Sequence, residues 1–308
     1  MRHGFWITAM SVCAVAAGCS KAPPPPLPQA TSQVQPYVLA NTEVLDIHAT
    51  ALNRDYQILV SLPVDYAAHP DRTYPVLFVT DADYAFPLIR SIAKRVGDHG
   101  EALQDFILVG LSYAKGDTPR YSRNRDYTPT ANGPNGPENV SDVPGRPFIY
   151  GQGTAYQAFV KNEVFPLVAK TYRADMSRKI YAGHSYGGLF GMDVLFSDPE
   201  MFDAYIIGSP SPQYDHHYLA RLEQTYAAGH KDLKAKVFIA TGGFETTGPS
   251  KRNYKVLDLI GETHALAQAM ASRHYPHLSV ESHVIADEDH LTVFPDIITR
   301  GLVWSLGK

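Results

Sequence analysis

Cysteine is almost missing from this chain. Cys13 and Cys19 are the only two in 308 residues. Everything beyond residue 19 is therefore unable to form a disulfide or a cysteine-rich metal site, whatever its compartment. A basic excess is missing too: 27 Lys and Arg stand against 31 Asp and Glu, for a formal net charge of −4. That balance excludes the electrostatic footprint of a nucleic-acid binder. No H-E-x-x-H or comparable ligand set appears, and no internal repeat. What the chain does have is 44% hydrophobic residues with 19% charged, the composition of an ordinary folded protein with ample core. Its length allows one large α/β domain or two small ones.

The apolar run Phe5–Ala17 follows Arg2 and His3. It is too short to span a bilayer comfortably and has the form of a signal-peptide core. It ends in Ala16-Ala17-Gly18-Cys19, followed by Ser20-Lys21. This resembles a bacterial lipobox, in which Cys19 becomes the lipidated N-terminus; a plain signal peptide cleaved at another small residue is the alternative. Residues 1–18 are thus read as a leader and 19–41 as a lipidated cysteine with a tether. The run Pro23-Pro24-Pro25-Pro26 favours an extended polyproline spacer. Residues 42–308 are the domain. The implied location is the cell envelope, lipid-anchored on the periplasmic side or at the outer membrane, with a soluble periplasmic protein as the alternative.

From residue 42 onward, strand-like and helix-like runs alternate. Strands are expected at residues 55–62, 74–80, 105–111, 179–182, 204–208, 236–241 and 278–285, several of them apolar on consecutive positions as in a sheet buried on both faces. Helices are expected at residues 86–96, with a basic outer side, at 154–172, amphipathic, and at 254–273. This order predicts a mostly parallel sheet covered by helices on both sides, with functional groups gathered at the carboxyl ends of the strands. Residues 117–150 are rich in Pro, Gly, Asn and Asp and show little periodicity. They begin just after a central strand and are read as a rim or lid over the site.

Gly183-His184-Ser185-Tyr186-Gly187 sits between a strand-like and a helix-like run. A sharp strand-to-helix turn holds its central residue in a strained conformation and exposes its side chain. Glycines flank it because a Cβ there would collide with the neighbouring elements. Ser185 is therefore the candidate nucleophile, and the Tyr186 N–H at the helix start the first oxyanion donor. In this topology the order along the chain is serine, acid, histidine. His290, after the last strand, is the expected base, with His283 and His264 as competitors inside a strand and a helix. Glu245, just after the strand at 236–241, is the expected acid; Asp287, Asp289 or a serine–histidine dyad remain open. The second oxyanion donor is expected after the strand at 74–80, at the Asp83 N–H or, less favoured, that of Ala82.

These pieces together resemble one family. Tyr74–Asp83, Val109–Tyr113, Arg125–Pro129, Gly183–Gly188, Ser209–Pro212, Gly242–Glu245 and Asp289-His290 match, in order, the motif series of the Putative esterase (esterase D-like) family of α/β hydrolases. The resemblance spans roughly residues 42–305. Members include siderophore trilactone esterases of the enterochelin-hydrolase type. It implies an α/β-hydrolase fold and ester hydrolysis without cofactor or metal, with Ser185 and His290 carried over directly. The family usually carries Asp-Gly where this chain has Asp81-Ala82, and its acid varies. A small-molecule ester is the expected partner; no expectation attaches to oligomeric state. Arg120, Arg123, Arg125, Tyr121, Tyr127 and Tyr84 flank the expected pocket. Of these, Arg123, Arg125 and Tyr84 are the candidate substrate contacts, with a solvated, structurally salt-bridged loop as the alternative. Rival readings are a degenerate hydrolase that binds a siderophore without cleaving it, and an acyltransferase on the same fold.

Overall fold

The computed structural model describes residues 35–97, 101–133 and 142–308. The leader, Cys19 and the proline run lie outside the described residues. Residues 40–308 form one compact unit, and among the described residues no helix is long and apolar enough to cross a membrane.

An eight-stranded sheet organises this unit, in the order β1-β2-β4-β3-β5-β6-β7-β8. β1 (Thr42–Ala49) and β2 (Arg54–Ser61) form an antiparallel hairpin, and β2 also runs antiparallel to β4 (Ile107–Leu111). The remaining strands are parallel: β3 (Tyr74–Val79), β5 (Ala174–His184), β6 (Ala204–Gly208), β7 (Ala235–Gly242) and β8 (Leu278–Ile285).

β3, β4, β6 and the second half of β5 are buried at every position, and alternate residues feed different cores. Phe78, Val109, Tyr181, Ile207 and Ile239 pack on one face. Leu77, Leu108, Ile180, Ile206 and Phe238 pack on the other. The second face is closed by α1 (Ala82–Val96) and α8 (Phe294–Leu306), the first by helices that include α3 (Gly153–Phe159) and α5 (Tyr186–Ser197). Burial on both sides is why these strands read as unbroken apolar runs rather than as alternation. α5 is buried on almost every side from Gly187 to Phe196. A helix apolar all round is a core element.

The structure redraws three of the expected elements. The helix expected at 154–172 is α3, a π-helical turn (Val160–Val164) and α4 (Phe165–Thr171). The helix expected at 254–273 is α7 (Leu259–Ser272), started by Asp258, whose side chain accepts from the Gly261 N–H. The stretch 117–150 holds a helix, α2 (Pro119–Asp126). Thr118 caps it, accepting from the Tyr121 N–H, and Pro119 occupies the first turn. Both are standard helix-start chemistry. The helix lacks an apolar stripe because its buried residues are mostly polar: Ser122, Asn124, Arg125 and Asp126. α6 (Tyr214–Gly229) completes the set and is kinked at Asp215–His217, where three residues take left-handed backbone angles.

α2 is fastened to the sheet through Asp126. Its buried carboxylate accepts from Arg125 Nε and Nη2 at 2.7 and 2.9 Å, from the Tyr56 hydroxyl at 2.9 Å and from the Ser122 hydroxyl at 3.1 Å. Tyr56 belongs to β2, as does Arg54, whose Nη1 reaches the same carboxylate at 3.5 Å, so Asp126 locks α2 onto that strand. Without the Asp126 carboxylate, buried Arg125 keeps Asp117 but the Tyr56 hydroxyl loses its acceptor, at a cost of about 1–3 kcal/mol. Asp126→Ala should lower unfolding stability by that order, read as a shift in urea midpoint; an unchanged midpoint would show that Asp126 does not hold the helix.

Candidate active site

Four segments at the carboxyl ends of parallel strands converge on a cavity of about 780 Å³. Its floor is the turn between β5 and α5. Ser185 sits there at φ 58°, ψ −120°, a region that costs a non-glycine residue on the order of 1–3 kcal/mol and persists only where the surroundings enforce it. Its N–H donates to Gly208 O at 2.9 Å and its carbonyl accepts from the Leu189 N–H at 2.8 Å. The turn is also tight. A Cβ on Gly183 would lie 2.5 Å from Gly187 O, and one on Gly187 would lie 2.4 Å from Thr80 Oγ1. Only glycine fits at either position.

His290 lines the same cavity from the loop after β8. Its Nδ1 lies 2.8 Å from Glu245 Oε1. With the proton assigned to Nδ1, the ring donates to the carboxylate and leaves Nε2 free to accept. Glu245 is wholly buried, and its second oxygen accepts from the Ser209 hydroxyl at 2.6 Å and the Gly242 N–H at 3.2 Å. Each carboxylate oxygen therefore has a donor. The alternatives raised by the sequence sit elsewhere. Asp289 is bound to Arg252 and to the Leu291 and Thr292 N–H groups. His283 faces Glu281, and His264 pairs with Gln268 on α7. Among the described residues no hydrogen bond engages the Ser185 hydroxyl. Such contacts are commonly long before substrate arrives.

Tyr186 is the first residue of α5 and Asp83 the second of α1. N–H groups in these positions have no intrahelical acceptor and carry the positive end of the helix dipole. α1 starts from Asp81, which has a left-handed backbone at φ 55°. The buried Asp81 carboxylate takes up Arg123 through Nε at 3.1 Å and Nη2 at 3.2 Å, and the Tyr113 hydroxyl at 2.7 Å. Burial alone would lower the Arg123 guanidinium, but the Asp81 charge outweighs it and keeps the group firmly protonated. Arg123 Nη2 also reaches His184 O at 3.5 Å. One arginine on α2 thus joins the start of α1 to the serine turn.

Two of the three candidate substrate contacts line the cavity. Tyr84 does so with its ring edge-on to Phe294, centroids 5.5 Å apart. Arg123 does so while bound to Asp81. Arg125 does not: it is buried, and its guanidinium is committed to Asp117 at 2.6 Å and to Asp126. Its role is to fasten α2. Tyr113, Asn124, Tyr150 and Leu291 also reach the cavity and were not singled out by the sequence reading. Asn124 was recoverable from the Thr118-Pro119 helix start, which fixes which α2 residues share a face. Of the described residues in the stretch 117–150, Pro119, Arg120, Arg123, Asn124 and Tyr150 line the cavity. No group of three or more metal-ligating side chains occurs among the described residues.

His184 is the least expected member. It precedes the serine, is buried, and its Nε2 lies 2.8 Å from His290 O, with the two rings 4.6 Å apart. Burial, with the neighbouring His290, pulls its titration down from 6.5 to about 3. The folded chain therefore keeps this ring neutral, donating to the backbone of His290.

The eight-stranded, mostly parallel sheet, the helices on both faces and the serine turn after a central strand define an α/β hydrolase. The siderophore hydrolase EstB from Aspergillus nidulans shares this fold, at 24% identity and a TM-score of 0.72, over 89% of this chain and 98% of that one. Residues 49–290 match the family model described as "Putative esterase", and the chain belongs to that family. It is 26% identical over 280 residues to the ferri-bacillibactin esterase BesA of Bacillus subtilis, covering 88% of this chain and 91% of the relative. A siderophore enterobactin esterase of Emericella nidulans is 29% identical over 190 residues, 59% of this chain and 61% of that one. The protein is a carboxylic ester hydrolase.

The His184 geometry has a pH signature. The unfolded chain titrates this imidazole near 6.5 and the folded chain near 3, so between those values the unfolded state holds the extra proton. Stability contributed by the neutral ring is complete above about 6.5 and declines as the pH falls towards 3. His184→Phe should make the loss of stability between pH 7 and pH 4 shallower, followed by urea midpoints at each pH. An equally steep decline would mean that the ring titrates freely.

Proposed function

We propose that the protein cleaves siderophore-like or other small esters through a Ser185 acyl-enzyme. The observation that carries this reading is the Glu245–His290 hydrogen bond at 2.8 Å, in the same cavity as a serine held on a strained turn. His290 Nε2 takes the proton from Ser185 Oγ as that oxygen attacks the ester carbonyl. Buried Glu245 fixes the tautomer and stabilises the imidazolium. The N–H groups of Tyr186 and Asp83 receive the oxyanion. His290 then protonates the departing alcohol, leaving the acyl group on Ser185. Water, activated by the same imidazole, attacks the acyl-enzyme and restores the serine.

For the substrate, the names of the relatives point to siderophore esters. The cavity agrees in character, since Arg120, Arg123 and several tyrosines line it and suit an acidic, aromatic ester. Cys19 is proposed to carry a lipid that holds the enzyme in the cell envelope.

Ser185→Ala should reduce kcat for p-nitrophenyl butyrate by at least about 10³-fold. Fluorophosphonate should label the wild-type chain and not the variant. Glu245→Gln should cost on the order of 10²–10⁴-fold in kcat with KM little changed. A folded wild-type chain with neither turnover nor labelling would leave a ligand-binding protein as the better reading. Retained turnover in Ser185→Ala would overturn the serine mechanism. For the anchor, Cys19→Ser should move the protein from the membrane to the soluble fraction of a bacterial host; an unchanged distribution would refute lipidation there.

A further inference from the structure

His290 is carried by irregular backbone, residues 286–293, between β8 and α8. Such a loop cannot place a side chain accurately by itself. Two backbone bonds dock its start onto the loop of the acid: Gly243 N–H donates to Ile285 O at 2.8 Å and Phe244 N–H to Glu288 O at 2.9 Å. His184 holds the carbonyl of His290, and the residues on either side of the base are gripped by Arg252. Its Nε donates to Asp289 Oδ2 at 2.5 Å, its Nη1 to Asp287 O at 2.8 Å and its Nη2 to Thr292 Oγ1 at 3.0 Å. All three guanidinium nitrogens are thus spent on one loop, on both sides of the base.

Arg252 also touches the loop of the acid. Its guanidinium carbon lies 4.6 Å from the centroid of the Phe244 ring, next to Glu245 in sequence. Asn253, the following residue, donates from Nδ2 to Phe244 O at 3.2 Å. Asp289 transmits the grip: its Oδ1 accepts from the Leu291 and Thr292 N–H groups at 3.0 and 3.2 Å, closing the turn that contains His290. The hydrogen bond from Arg252 holds the Asp289 carboxyl below the usual carboxylate range. Arg252 is not among the residues that line the cavity.

We propose that Arg252 is a positioning residue for the catalytic base, clamping the loop of His290 to the loop of Glu245 through Asp289 and the Asp287 carbonyl. The inference rests on the serine-hydrolase reading above. Ion pairs as exposed as this one contribute little to stability. A misplacement of about 1 Å in a catalytic group, by contrast, can cost on the order of 10²-fold in rate. The signature of the clamp is therefore a loss of turnover without a matching loss of stability.

The test uses the full chain, with Arg252→Ala and Asp289→Asn beside wild type and Ser185→Ala. Two readouts separate positioning from general support: kinetics on p-nitrophenyl butyrate, and the low-field proton resonance of His290 Nδ1–H on Glu245. In Arg252→Ala, kcat should fall about 10–100-fold, KM should stay within about twofold, and the low-field resonance should broaden or vanish. Added guanidinium at low millimolar concentration should restore part of kcat in Arg252→Ala and leave wild type unchanged. Asp289→Asn should reproduce the defect without rescue. Wild-type kcat with a sharp resonance in Arg252→Ala would overturn the proposal. So would a loss of kcat that tracks a lowered melting temperature and resists guanidinium. If the wild type shows no Ser185-dependent turnover, the hydrolase reading fails, and the resonance alone still decides whether Arg252 orders the His290–Glu245 pair.

Discussion

A wholly buried carboxylate has to be satisfied atom by atom, and Glu245 is the one around which this site is arranged. Its oxygens collect an imidazole N–H, a hydroxyl and a backbone N–H from three different segments. An ionised carboxylate in that position without those donors would be strongly destabilising. Satisfying it forces the loops after β6, β7 and β8 together. The requirement that makes Glu245 tolerable in the core also aims His290, so stability and function draw on one set of contacts.

A second buried carboxylate does similar work on the other side of the serine. Asp81 sits at the end of β3 with a left-handed backbone, and Arg123 and Tyr113 close on it. The Asp81–Arg123 pair ties α2 to the start of α1, where the Asp83 N–H lies. Asp126 fastens the same helix to β2 through Tyr56 and Arg54. The rim of the cavity is therefore built from ion pairs rather than from an apolar face. Such a rim presents polar, positively charged side chains to a ligand without losing its own attachment. Asp81-Ala82 fits this geometry: the left-handed angle falls on Asp81, while Ala82 is already helical.

Some elements were legible in the sequence because their causes are local. The strand at 278–285 coincides with β8, and those at 74–80 and 105–111 differ from β3 and β4 by one or two residues. In β3 and β4, unbroken β-branched and apolar runs signal burial on both faces without reference to any other part of the chain. The turn at Ser185 was equally legible, since two close backbone approaches demand glycine at fixed spacing on either side. α2 was not legible by periodicity. Its buried face is polar, satisfied by Asp117, Tyr56 and Arg54 from elsewhere, and no hydrophobic pattern marks such a helix. The π-helical turn within the helix expected at 154–172 likewise leaves the amphipathic pattern intact.

The sequence by itself determined the alternation of strands and helices, the strained serine and the histidine after the last strand. Each rests on residues within a few positions of one another, where sterics and hydrophobic period act directly. Only the tertiary structure decided which carboxylate meets His290, that Arg123 faces the cavity while Arg125 is buried, and that His184 and Arg252 both hold the loop of the base. Those outcomes depend on partners 45, 42, 106 and 37 positions apart. Burial then requires each charge to find an opposite one, and the strand order of the sheet fixes which partner is within reach.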